Sequence, residues 1–126
     1  MATMTKTMTP TNRAFLQAVL GSLTDDLRKP KYRGHPNPLA GHCYVVAEVL
    51  KWHFGARWTP MQIGHENDSH WFLKNKDTGE ILDPTAPQFK TPVPYKNARG
   101  RGFLTKELSK RARILLERVQ QKLVKG

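Results

Sequence analysis

The sequence predicts a small α+β domain in which a helix opening at a lone cysteine packs on a short antiparallel sheet, with an amphipathic helix toward each end of the chain. Three observations predict it. Apolar residues recur at helical spacing in three separate stretches, and between the second and third the pattern changes to short β-rich runs broken at glycine and proline. The 126 residues leave room for one hydrophobic core.

Met1 to Pro10 is rich in Thr and Met, lacks the apolar stretch of a secretory leader, and is expected to be a flexible tail before a single domain over 11–126. Thr9-Pro10 or Thr11-Asn12 can cap the first helix. The stripe Phe15, Leu16, Val19, Leu20, Leu23 and Leu27 carries that helix to about Leu27. Arg28 to Gly41 holds three prolines and two glycines, the mark of an irregular connection. From Cys43 a second helix runs to Gly55, apolar on most of its circumference and therefore central. Strands follow at Pro60 to Gly64, His70 to Asn75 and Glu80 to Asp83, the last two forming a hairpin around Lys76 to Gly79. Pro84 to Gly102 contains four prolines and should wrap the surface with little regular structure. A final helix begins near Thr105 or Ser109 and runs to about 124, with Leu108, Ala112, Leu115, Leu116, Val119 and Leu123 on one face.

Composition excludes several classes. No apolar run approaches about 20 residues, so a membrane span is not expected and the cytoplasm is the expected compartment. One cysteine makes no internal disulfide and leaves a thiol free for chemistry. The formal net charge is +11, and from Lys90 onward eleven basic residues face two acids, so nine of the eleven net charges lie in the last third. Such a segment is drawn to polyanions, and Arg99, Arg101, Lys110, Arg111, Arg113 and Arg118 are candidates for contacting nucleic acid or an acidic protein partner.

Cys43 sits at the first turn of a buried helix, where unpaired N–H groups and the helix dipole favour the thiolate. A thiol that attacks an acyl carbon also needs a base and a group to orient the base. His70 opens one strand and Asp83 closes the next, so the hairpin can bring them together. A two- or four-residue turn places Asp83 opposite Phe72 and on the same face as His70; a three-residue turn places it opposite Leu73, on the other face. Both turns are compatible with the sequence.

Gly41-His42-Cys43-Tyr44 at a helix start, His70-Trp71 at a strand start, and Ile81-Leu82-Asp83-Pro84-Thr85 at a strand end resemble the three blocks of the transglutaminase-like branch of the papain-like superfamily. The resemblance spans residues 37 to 87. It implies a nucleophile at Cys43, an imidazole base at His70, an orienting carboxylate at Asp83 and no cofactor. It further implies an oxyanion-binding amide at Asn37, where glutamine is usual, beside the backbone N–H of Cys43. Members include proteases, amidases, deamidases, transglutaminases and other acyltransferases, which act on an amide or ester through a thioester. The whole chain also resembles small proteins of tailed bacteriophages, which implies a host cytoplasm.

Competing assignments are His65 as base and Asp68 as carboxylate, with His35, His42 and His53 expected to be structural or solvated. A zinc site from His42, Cys43, His65 and His70 has ligand types but no zinc-binding spacing, so no metal is expected. From a different class comes a non-enzymatic nucleic-acid-binding protein that works through its basic final helix.

Overall fold

The computed structural model describes residues 8–125. It is an α+β fold of three α-helices and one four-stranded antiparallel sheet: α1 (Pro10–Gly21), α2 (Cys43–Phe54), β1 (Trp58–His65), β2 (Asp68–Asn75), β3 (Ile81–Leu82), β4 (Arg99–Gly100) and α3 (Lys110–Lys125). The sheet order is β3-β2-β1-β4. Helix α2 packs on β2 and β1 on one side and on α3 and α1 on the other. That position explains its composition, since the six consecutive residues Val45 to Leu50 are all buried.

The expected flexible tail falls mostly on residues 1–7, outside the described residues, but the packed structure begins before residue 11. Met8 is buried in the core, and the Thr9 side chain accepts from the Asn12 N–H at 3.1 Å, capping a helix whose first residue is Pro10. Helix α1 stops at Gly21 rather than near Leu27, because glycine weakens the helix and the Ser22 N–H closes back on the Val19 carbonyl. Thr24 is then extended, and a 3-10 turn over Asp25–Leu27 returns Leu27 to the core.

The connection from Arg28 to Gly41 is irregular, as expected, yet closely organised. Buried Arg28 donates to the carbonyls of Tyr32, His35 and Asn37 at 3.1, 2.7 and 2.9 Å, and the Lys29 N–H donates to the Gly41 carbonyl at 2.9 Å. Gly41 has φ +80°, and a Cβ there would lie 2.6 Å from the Tyr32 Cβ, so only glycine delivers the chain to α2 at this approach.

The strands before and after this turn extend beyond the expected Pro60 to Gly64 and His70 to Asn75, so the β1–β2 hairpin turns in two residues, Glu66 (φ 50°) and Asn67 (φ 65°). A left-handed glutamate is unusual; here its carboxylate accepts from the Lys90 and Thr91 N–H groups at 3.2 and 2.8 Å. The segment Arg99 to Gly102 is exposed but partly paired: Arg99 and Gly100 pair with Gln62 and Met61, and the Arg101 N–H reaches the Pro60 carbonyl at 3.0 Å. It covers the otherwise open edge of β1. Helix α3 starts after Ser109, whose hydroxyl accepts from the Ala112 N–H at 3.2 Å. Buried Glu48 in turn accepts from the N–H and hydroxyl of Ser109, tying α3 to α2.

Candidate active site

The hairpin register decides the first question of geometry. Leu73 pairs with Leu82 and Lys74 with Ile81, and the Asn75 N–H donates to the Glu80 carbonyl at 2.8 Å, so the turn has four residues, Lys76 to Gly79. The Asn75 side chain fixes that length by accepting from the N–H groups of Asp77 and Thr78 at 2.9 and 3.1 Å. Asp83 therefore falls opposite Phe72 and on the face of His70. His70 Nε2 lies 2.7 Å from Asp83 Oδ2, with both residues at most 1% exposed.

The second ring nitrogen of His70, Nδ1, is buried and has no hydrogen-bond partner, as is Asp83 Oδ1. Cys43 stands beside this imidazole at the first residue of α2, half-buried, with Sγ 3.8 Å from the Ser69 carbonyl. Burial lowers the His70 pKa, but the Asp83 hydrogen bond and the neighbouring Cys43 raise it further, to about 9. With Nε2 bound to Asp83, Nδ1 is the ring atom left to serve the thiol.

Two residues packed on the His70–Asp83 pair escaped the sequence reading. The Tyr95 hydroxyl donates to Asp83 Oδ2 at 2.8 Å, and its ring packs edge-on against Phe72 at 4.9 Å. Burial first, then the Asp83 charge, holds the Tyr95 phenol well above its usual range. Phe89 meets the His70 ring edge-on at 4.7 Å. Both come from the proline-rich stretch after Pro84, which has little regular structure as expected but seals the sheet face that carries His70 and Asp83. The only signal for them was aromatic side chains in a segment otherwise lacking apolar pattern.

The competing assignments go elsewhere. His65 Nε2 contacts the Thr91 carbonyl at 3.2 Å, and its ring packs on Phe89. Asp68 lies in the cleft of Cys43 but is in ion-pair reach of Lys29 (3.7 Å) and Lys31 (3.5 Å) rather than of His70. His42 is buried against the Thr24 carbonyl at 2.9 Å, and burial pushes its pKa down. His53 stacks on Phe15 and contacts Asn12, and the His35 ring accepts from the Asn37 N–H. Among the described residues no group of three His, Cys, Asp or Glu side chains could hold a metal ion.

Asn37 does not line the Cys43 cleft itself. The loop wound on Arg28 places it in an adjoining cavity that shares Tyr32 and Asp68 with that cleft, and its side-chain oxygen accepts from the Leu39 N–H at 2.9 Å. The side-chain amide that does line the cleft with Cys43 is Gln62, which the sequence did not single out.

The six basic candidates separate into groups. Arg118 pairs with Asp26 at 2.9 Å and Arg111 donates to the Leu27 carbonyl at 3.1 Å, so both hold α3 to the segment after α1. Arg101 and Arg111 line the Cys43 cleft. Arg99, Lys110 and Arg113 are exposed. No helix among the described residues is long and apolar enough to cross a membrane.

Fold and site together define an α+β protein with a half-buried thiol set against a buried His–Asp pair. No protein-family model, curated protein or solved structure matches the chain.

Proposed function

We propose that the protein is a cysteine-dependent hydrolase or acyltransferase of the papain-like, transglutaminase-like type, opening an amide or ester bond through a thioester on Cys43. The observation that supports this reading is the His70–Asp83 pair, buried at 2.7 Å, with the other imidazole nitrogen unpartnered and Cys43 beside the ring at a helix start. In the reaction Cys43 Sγ bonds to the acyl carbon while His70 Nδ1 holds the thiol proton. Donors around the cleft, including the first-turn N–H groups of α2, meet the developing oxyanion. The carbon–nitrogen or carbon–oxygen bond then breaks, His70 gives its proton to the leaving group, and the acyl group remains on sulfur. Water or an acceptor amine attacks that thioester, with His70 taking and returning a proton once more. Asp83 keeps Nε2 protonated and the ring oriented, and Tyr95 holds the carboxylate in place.

The test is the rate of Cys43 alkylation by iodoacetamide as pH is varied. An activated thiol keeps most of its rate from about pH 8.5 down to about pH 6, and His70→Ala removes that plateau. An ordinary thiol profile in the unaltered protein refutes the reading.

A further inference from the structure

The Cys43 cleft, a cavity of about 330 Å³, carries a charge that the proposed chemistry does not require. Lys29, Arg101 and Arg111 line it, against one carboxylate, Asp68. That carboxylate already answers to Lys29 and Lys31. Arg101 is held by a neutral group, donating to Gln62 Oε1 at 2.6 Å, while Gln62 Nε2 donates to the Ser69 hydroxyl at 2.5 Å. Arg111 donates to a backbone carbonyl, and Glu48, the carboxylate whose charge it senses, is spent on Ser109. Two guanidinium groups thus line the cleft of the thiol, neither in an ion pair with a carboxylate among the described residues, and one of them is positioned by a neutral chain running from Ser69 through Gln62. Guanidinium suits a carboxylate ligand, which it can bind through two parallel N–H donors. The cavity lies at the small end of ligand sites, which span about 300–1,000 Å³. It suits a single side chain with its flanking backbone rather than a large headgroup.

Resting on the proposed cysteine chemistry, we infer that Arg101 and Arg111 select an anionic acyl donor, a peptide whose residue at the reacting carbonyl carries a carboxylate.

The measurement compares iodoacetate with iodoacetamide as alkylating agents of Cys43; the two differ in one carboxylate, and in both the sulfur displaces iodide. The reference is the same ratio for 2-mercaptoethanol. Two nearby positive charges in a solvent-open cleft raise the iodoacetate-to-iodoacetamide ratio about tenfold over that reference. Arg101→Gln and Arg111→Gln should each remove a large part of the gain, whereas Lys122→Gln, which deletes one charge outside the cleft, should not. Arg101 is exposed, so its substitution spares the core; a thermal unfolding curve checks that Arg111→Gln stays folded. A ratio equal to that of 2-mercaptoethanol overturns the inference. So does a raised ratio that survives both arginine substitutions, since the preference then comes from His70 or from the overall charge. Neither outcome depends on the pH plateau of the iodoacetamide rate, so the failure of one proposal is distinguishable from the failure of the other.

Discussion

Replacing Asp83 by asparagine tests the electrostatics of the buried pair directly. In the unaltered protein burial lowers the His70 pKa, and Asp83 and Cys43 overcome that burial to leave it at about 9, against an ordinary value of 6.5. Because the folded value is the higher one, the stabilisation is fully present below pH 6.5 and is lost as pH rises through about 9. At about 1.4 kcal/mol per pH unit, that interval corresponds to about 3 kcal/mol. Asparagine can keep its one acceptor oxygen where both His70 Nε2 and the Tyr95 hydroxyl donate, with its amide NH₂ at the unpartnered Oδ1 position, so the substitution removes chiefly the charge. With the charge gone, only Cys43 still opposes burial in full, and the His70 pKa should fall well below about 9. The assay is an NMR titration of the His70 ring, with urea midpoints at about pH 6 and about pH 9.5 for both proteins. The unaltered protein should lose stability across that window relative to Asp83→Asn. The background effect of a shrinking net positive charge is shared and cancels in the comparison. A His70 resonance that titrates near 6.5 before substitution, or moves little after it, would refute the reasoning.

Two further substitutions probe the supports of the site. Tyr95→Phe removes the second donor to Asp83 Oδ2 and should cost about 2 kcal/mol in urea unfolding, as expected for a hydrogen bond to a charged group; an unchanged midpoint would mean that water replaces the hydroxyl. Gly41→Ala places a methyl group 2.6 Å from the Tyr32 Cβ at a left-handed φ, and should lower stability by about 2 kcal/mol or more. It should also slow Cys43 alkylation, because the loop can relieve the clash only by shifting the start of α2. Wild-type stability and reactivity in that variant would show the approach to be loose.

The second helix was legible because its ends are punctuated: Gly41 precedes Cys43, Gly55 follows Phe54, and everything between is apolar enough to be central. The His70 and Asp83 strands were legible too, but not their phase. That depended on Asn75, which spends its side chain on the turn and so selects four residues over three. The Glu66-Asn67 turn was hidden because the left-handed conformation is supported by contacts from Lys90 and Thr91, far along the chain, rather than by glycine. The position of Asn37 was hidden for a related reason. A fixed offset before the cysteine presumes a path for the loop, and here Arg28 collects three of its carbonyls and sets Asn37 in the cavity that adjoins the Cys43 cleft. Tyr95 and Phe89 lie in a stretch whose irregular backbone has no period to read, so only tertiary packing reveals them.

Alternate residues of β2 serve different masters. Trp71 and Leu73 belong to the core shared with α2, while His70 and Phe72 meet Phe89 and Tyr95 on the opposite face. A single-residue insertion or deletion ahead of His70 in this strand would therefore do more than loosen the packing. It would carry the imidazole into the oil of the helix side and present an indole to Asp83, parting the His70–Asp83 pair and unsettling the core in one stroke. Point substitutions on the helix side leave that parity intact, so lineages of this protein should accumulate exchanges among Trp71, Leu73 and Leu82 far more readily than any change in the length of β2.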